Sequence, residues 1–213
     1  MQHKQGFYEK YIKRLLDILC SLVVLVLFWW LYIILAILVR IKLGSPILFK
    51  QQRPGKNEKI FSMYKFRTMT DARDENGDLL SDEMRLTRFG KMLRATSLDE
   101  LPEIFNILKG DMSLIGPRPL LPKDVAYMTS GQLNRHCVRP GLTGLAQCSG
   151  RNLLNWDEKL AKDVEYVKRL SFKLDVCIIG RTLYKVFKHE GIEFEAGTDI
   201  DLKDWNELKK EER

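Results

Sequence analysis

The sequence predicts a mainly α-helical protein with a small β-hairpin: an N-terminal membrane-embedded, re-entrant helix, then a compact domain at the cytosolic face carrying interfacial amphipathic helices. Three observations lead there. Ile18 to Val39 is an uninterrupted apolar run, two later segments space their apolar residues at helical intervals, and one pair of segments reads as strands.

The run from Ile18 to Val39 holds 22 residues and no charge. As a helix it would extend about 33 Å, enough to cross a hydrocarbon core of about 30 Å. It exceeds the roughly 7 to 15 apolar residues of a cleaved signal peptide, and no small-x-small cleavage site follows it. Lys10, Lys13 and Arg14 precede the run, while Arg40, Lys42, Lys50 and Arg53 follow it. Both flanks therefore look cytoplasmic, which a segment that dips into the bilayer and returns satisfies. Local chemistry alone favours a straight helix, because no Pro or Gly interrupts the run. Its centre is Phe28-Trp29-Trp30-Leu31, and tryptophan prefers the interfacial level, which suits a shallow bend.

Gly44-Ser45-Pro46 ends this helix. Ile47 to Gln51 and Ile60 to Lys65 are rich in β-branched and aromatic residues and read as two strands, joined through the turn residues Arg53-Pro54-Gly55-Lys56-Asn57. Asp71 to Asp82, with Asn76-Gly77 inside it, reads as a solvated loop; it lacks the twelfth-position glutamate of a calcium-binding EF-hand. Glu83 to Ala95 has one helical stripe, Met84, Leu86, Phe89, Met92 and Leu93, with Arg85, Arg88, Lys91 and Arg94 largely outside it. Val176, Ile179, Leu183, Val186 and Phe187 form a second stripe among Lys173, Arg181, Lys185 and Lys188. Each helix suits the lipid interface, and packing on the protein core fits the second equally well. The expected division is a membrane-associated helix over 1–43, a catalytic domain over 44–190 and an acidic tail over 191–213.

That tail holds eight acids and four bases, so the chain before it carries 31 Lys/Arg against 20 Asp/Glu, a basic balance suited to anionic ligands or lipids. The four cysteines form no CxxC pair and show no metal-finger spacing, which points to reduced thiols.

The most informative stretch is Ser97-Leu98-Asp99-Glu100-Leu101-Pro102-Glu103, continuing through Lys109-Gly110 to Gly116-Pro117-Arg118-Pro119. Ser97 and Glu100 have capping-box spacing, Asp99 falls in the first turn, and Gly110 supplies a helix stop. A helix start that favours carboxylates also favours phosphate, so capping and catalysis are compatible. Aspartate can form an acyl phosphate, and two adjacent acids facing a pyrophosphate call for a cation, for which magnesium is the natural hard ion. Arg118 between two prolines is restricted in a way that aims a guanidinium, and Arg139-Pro140-Gly141-Leu142-Thr143-Gly144 and Gly150-Arg151-Asn152 place glycines and cations in loops.

The ordered set of apolar helix, QQRPG, YKFRTM, SLDELPEIFNILKGDMSLIGPRP, RPGLTGLAQ and SGRN resembles the small monotopic phosphoglycosyl transferases, from about Phe7 to Glu190. The resemblance implies transfer of a sugar 1-phosphate from a UDP-sugar to polyprenyl phosphate, releasing UMP and initiating glycoconjugate assembly. It implies a ping-pong course in which Asp99 is the nucleophile and Glu100 the second acid of the dyad. It also implies Mg²⁺ held near Asp99, contacts from Lys65, Arg94, Arg118 and Arg151 to phosphate, nucleotide or lipid headgroup, and placement at the cytoplasmic face of the bacterial inner membrane, among its lipids. The family breaks its membrane helix with a Ser-Pro pair, and the aligned place here is Trp29-Trp30.

Two other readings stay open on the residues alone. One is a membrane-associated glycosyltransferase that moves only the sugar and releases UDP. The other is a non-catalytic basic anchor or adaptor; nucleic acid is not an expected partner. The sugar itself is not legible.

Overall fold

Lys13–Leu43 form one helix, α1, entered through a π-helical turn at Tyr8–Ile12 and left at Gly44, whose φ of 86° suits only glycine without strain. Arg40 and Lys42 in its last turn oppose the negative end of the helix dipole. The computed structural model describes residues 4–150, 154–188 and 201–211. No interruption occurs at Trp29-Trp30, where the helix continues unbroken.

Strands β1 (Leu48–Pro54) and β2 (Ile60–Phe66) pair antiparallel from Leu48 opposite Phe66 to Pro54 opposite Ile60. Both run past their expected ends. Asp71 to Asp82 is mainly loop, turned at Gly77 with φ 85°, and Asp74 Oδ1 accepts from the backbone N–H of Asn76 and of Asp78.

The single helix expected over Glu83 to Ala95 is two, α2 (Asp82–Arg85) and α3 (Arg88–Ala95). Leu86 turns extended and bridges to Met69, and Thr87 restarts the helix by accepting from the Gly90 N–H at 3.0 Å. A β-branched hydroxyl residue is a good cap, and that local signal outweighs the longer stripe. Leu86 and Leu93 are buried, whereas Met84 and Met92 are exposed.

The remaining elements are α4 (Glu103–Lys109), β3 (Ser113–Ile115), α5 (Pro122–Val125), α6 (Ser130–Leu133), β4 (Gly141–Thr143), α7 (Leu145–Ser149), α8 (Trp156–Arg169), α9 (Phe172–Lys188) and α10 (Leu202–Glu211). β3 and β4 form a short parallel pair. On α9, Ile178 and Asp175 face inward while Val176, Ile179, Leu183 and Val186 are exposed, so most of the stripe expected there points away from the core.

Helix α1 packs on the domain along its whole length. Lys13 pairs with Asp175 at 2.7 Å, Arg14 donates to the carbonyls of Ile107 and Leu108, and Asp17 accepts from Ser113 Oγ and the Leu114 N–H. Val24 and Leu25 meet the cluster of Phe61, Met63, Ile104, Ile107 and Met112. Leu35, Val39 and Leu43 close on Phe66 and Leu93. Each such buried aliphatic side chain contributes about 1.5–3 kcal/mol. The opposite face, including Val26, Trp29, Ile33, Ile37 and Ile41, is exposed and apolar.

Candidate active site

The site is built from the contact of α4 with β2. Asn106, fully buried, accepts from the Tyr64 N–H at 3.0 Å and donates to the Ser62 carbonyl at 2.7 Å, so its amide serves as a substitute neighbouring strand. Glu103 lies one turn earlier on the same face of α4. That registration places its carboxylate 3.3 Å from Lys65 Nζ.

The capping box expected at Ser97 does not form. Ser97 adopts a left-handed φ of 55° with no capping bond from its side chain, and Leu98–Glu100 make a tight 3₁₀ turn. Pro102 is the reason: it has no N–H to donate to Leu98, so an α-helix cannot run from Ser97 through it and begins only at Glu103. Released from capping, Glu100 accepts from Lys65 Nζ at 2.7 Å and from Arg118 Nη2 at 3.0 Å. Gly110 closes α4 as expected, with φ 92° and its N–H on the carbonyls of Asn106 and Ile107.

Asp99 differs from its neighbour. It is 7% exposed and has no hydrogen-bond or ion-pair partner among the described residues, yet its oxygens are not sealed from solvent. Burial pushes its carboxyl up to about 6; Glu100 adds to the rise, while Lys65, Arg94 and Arg118 oppose it. Burial likewise opposes ionisation of Glu100, but Arg118 and Lys65 outweigh it and hold that carboxyl well below the usual range. Glu103, 3% exposed, is pushed up to about 7 by burial, against the pull of Lys65 and with a further push from Glu100. Two acids separated by one peptide bond thus have opposite environments.

Arg118 reaches this cluster from the loop after β3. A Cβ on Gly116 would stand 2.4 Å from the Arg139 carbonyl, one on Gly141 2.0 Å from the Gly116 nitrogen, and one on Gly144 2.1 Å from the Gly116 carbonyl oxygen. These glycines let the Gly-Pro-Arg-Pro and Arg-Pro-Gly-Leu-Thr-Gly loops press against each other. Arg135, 1% exposed and doubly bonded to Asp163, donates to the Arg118 carbonyl at 2.5 Å, and Arg53 donates to the Pro119 carbonyl at 3.1 Å.

The fold therefore brings together Asp99, Glu100, Lys65, Arg94 and Arg118. Arg94, on the last turn of α3, donates to Thr68 Oγ1 at 3.0 Å and acts on Asp99 through space. Arg151 lies outside the described residues. Glu103, Asn106, Arg135 and Asp163 were not among the sequence candidates. The signal for Glu103 was its three-residue spacing from Asn106 just behind Pro102; Arg135 and Asp163, 28 positions apart, carry no local signal.

The residues present fit a magnesium ion whose coordination is shared between protein and substrate phosphates. Glu100 and Glu103 are committed to Lys65 and Arg118, and among the described residues no group of three His, Cys, Asp or Glu converges to cage a metal. Of the cluster's described carboxylates, the uncommitted one is that of Asp99. Mg²⁺ is commonly held by one or two carboxylates together with substrate phosphates and water, which this donor set allows.

A family model described as bacterial sugar transferase matches residues 8–189. The chain is 48% identical over 182 residues to the Bacillus subtilis sugar transferase EpsL, covering 85% of this chain and 90% of that protein. It is 37% identical to an Aeromonas hydrophila protein named UDP-N-acetylgalactosamine-undecaprenyl-phosphate N-acetylgalactosaminephosphotransferase, and 36% identical to an undecaprenyl-phosphate galactose phosphotransferase of Salmonella typhimurium. These matches cover 81% and 86% of this chain but only 43% and 42% of those longer proteins.

Proposed function

The chain belongs to the bacterial sugar transferases, and on that footing we propose that it transfers a sugar 1-phosphate from a UDP-sugar to a polyprenyl phosphate, releasing UMP. The relatives' names supply the donor and acceptor classes. The observation that carries the chemistry is the contrast within the dyad: among the described residues Asp99 has no pairing partner and is more basic than an ordinary carboxylate, while Glu100 is tied down by two cations.

In the proposed course a carboxylate oxygen of Asp99 attacks the β-phosphorus of the donor. The bond from that phosphorus to the bridging oxygen breaks, and its electron pair leaves with UMP. The resulting aspartyl phosphosugar is attacked at the same phosphorus by an oxygen of polyprenyl phosphate, which restores the Asp99 carboxylate. Lys65, Arg94 and Arg118 stabilise the charge that builds on the phosphoryl oxygens. Glu100, held below the usual range, is a poor proton acceptor and instead orients Lys65 and Arg118. Mg²⁺, when bound with Asp99 and the donor phosphates, supplies charge neutralisation.

The same reading places the catalytic domain at the cytoplasmic face of the inner membrane, with both flanks of α1 on that side. What supports it is that both ends of α1 pack on one domain while its outer face stays apolar. The deciding experiment is intact-mass analysis after incubation with a panel of UDP-sugars and no lipid acceptor. A phosphosugar adduct with release of UMP is expected; release of UDP, or an adduct that persists in Asp99→Asn, would overturn the proposal.

A further inference from the structure

Helix α10 lies beyond the residues matched by the family model. It is nevertheless docked. Leu202 is 1% exposed and joins Met128 and Leu160 in a buried cluster against which Leu120, Leu133, Trp156 and Trp205 pack. Asn206 donates to the Tyr127 carbonyl at 2.9 Å, and Lys209 and Trp205 Nε1 both reach Asp157. Lys123 of α5 pairs with Asp201 just before the helix.

The surface that α10 covers is the continuation of the Arg118 loop. Leu120 is two residues past Arg118, with only Pro119 between, and prolines on both sides of Arg118 fix φ and leave little slack. The inner side of this loop is held by Arg135 on the Arg118 carbonyl and Arg53 on the Pro119 carbonyl. Its outer anchorage is weaker. The helices that follow, α5 and α6, have four residues each, and a single helical turn barely repays the cost of its own nucleation. Tertiary contacts must stabilise them, and one of the three buried residues of their cluster comes from α10.

We propose that α10 is a positioning strap for Arg118: by closing the cluster that holds Leu120, it fixes the outer end of the Pro-Arg-Pro segment and the direction in which the guanidinium meets a nucleotide diphosphate. The strap acts through Arg118 and touches no substrate, so Leu202 and Trp205 are positioning residues. The inference rests on the proposed role of Arg118 at the phosphates.

The test is UDP affinity, measured by titration in the presence of Mg²⁺, for the full-length chain and for the Leu202→Ala/Trp205→Ala, Arg118→Ala and triple variants. The double variant is expected to bind UDP about fivefold more weakly and Arg118→Ala about tenfold or more, with the triple variant no weaker than Arg118→Ala alone. Unchanged UDP binding in the double variant, or a fivefold loss that persists on top of Arg118→Ala, overturns the strap while leaving the role of Arg118 intact. Unchanged binding in Arg118→Ala removes the role on which the strap depends. Asn206→Ala, which deletes only the bond to the Tyr127 carbonyl, repeats the comparison should the double variant fail to fold; a smaller loss that also vanishes in the Arg118→Ala background is then expected.

Discussion

Tyr32, in the middle of the apolar helix, donates its hydroxyl to the carbonyl of Leu101 at 2.8 Å, two residues past Asp99. Its ring also meets Phe66 and Phe105. Helix α1 is therefore part of the support of the dyad. Tyr32→Phe keeps the ring and removes one hydrogen bond worth about 0.5–1.5 kcal/mol, so kcat/KM for the donor should fall by about two- to twelvefold. Partitioning into membranes should be unchanged. Steady-state UMP release alongside sedimentation with vesicles measures both, and wild-type kcat/KM would remove the link.

Lys65 is shared between Glu100 at 2.7 Å and Glu103 at 3.3 Å. Glu103→Gln leaves a carbonyl oxygen to accept from the ammonium, whereas Glu103→Ala leaves Lys65 to Glu100 alone and opens space behind it. The expected order of kcat is wild type, then Gln within about threefold, then Ala down by about tenfold or more. Equal losses in Gln and Ala would show that the carboxylate charge, and not the hydrogen bond, is what matters at Glu103.

Asp99 sets activity against stability. Its folded-state pKa of about 6 lies above the ordinary value near 3.9, so between these limits the native protein binds this proton more tightly than the unfolded chain does. Stability is lost as pH rises through that window, and above it the ionised carboxylate is a net cost. Asp99→Asn should abolish transfer while stabilising the Mg²⁺-free protein at pH 8 by about 1–3 kcal/mol, with the gain fading toward pH 4. Melting curves at the two pH values test this; equal gains at both would contradict the environment assigned to Asp99.

The helix Lys13–Leu43, the hairpin and the Gly110 stop were legible because each has a local cause: an apolar run, alternating β-formers and a glycine. Ser97-x-x-Glu100 misled because a single proline five residues on vetoed the helix that the pair would cap. Strands β3 and β4 have three residues each, too few for alternation to register, and the Arg135–Asp163 pair exists only through long-range packing. Helix α10 has Leu202 and Trp205 as inward anchors among charged neighbours, a stripe too sparse to read. The gathering of Lys65, Arg94 and Arg118 around Asp99 depends on four separate elements, so neither spacing nor propensity contains it.

The placement of α1 gives the last prediction. At 31 residues it is about 46 Å long, more than the hydrocarbon core of about 30 Å. Yet Lys13 at one end is paired with Asp175 of α9, and Val39 and Leu43 at the other are buried against Phe66 and Leu93, all on one domain. A helix driven straight through the bilayer would have to release one of these ends, exposing the Lys13–Asp175 ion pair or the apolar cluster. Under the proposed membrane placement, holding both ends has its exposed apolar face enter from one side only. Single cysteines replacing Lys4 and Lys50, in a chain stripped of its native cysteines, should both be protected from a membrane-impermeant maleimide added outside intact cells. Both should react in inverted vesicles. Labelling of the residue 4 site from outside, with the residue 50 site still protected, would establish a spanning helix and require the contacts at Lys13, Arg14 and Asp17 to open in the membrane.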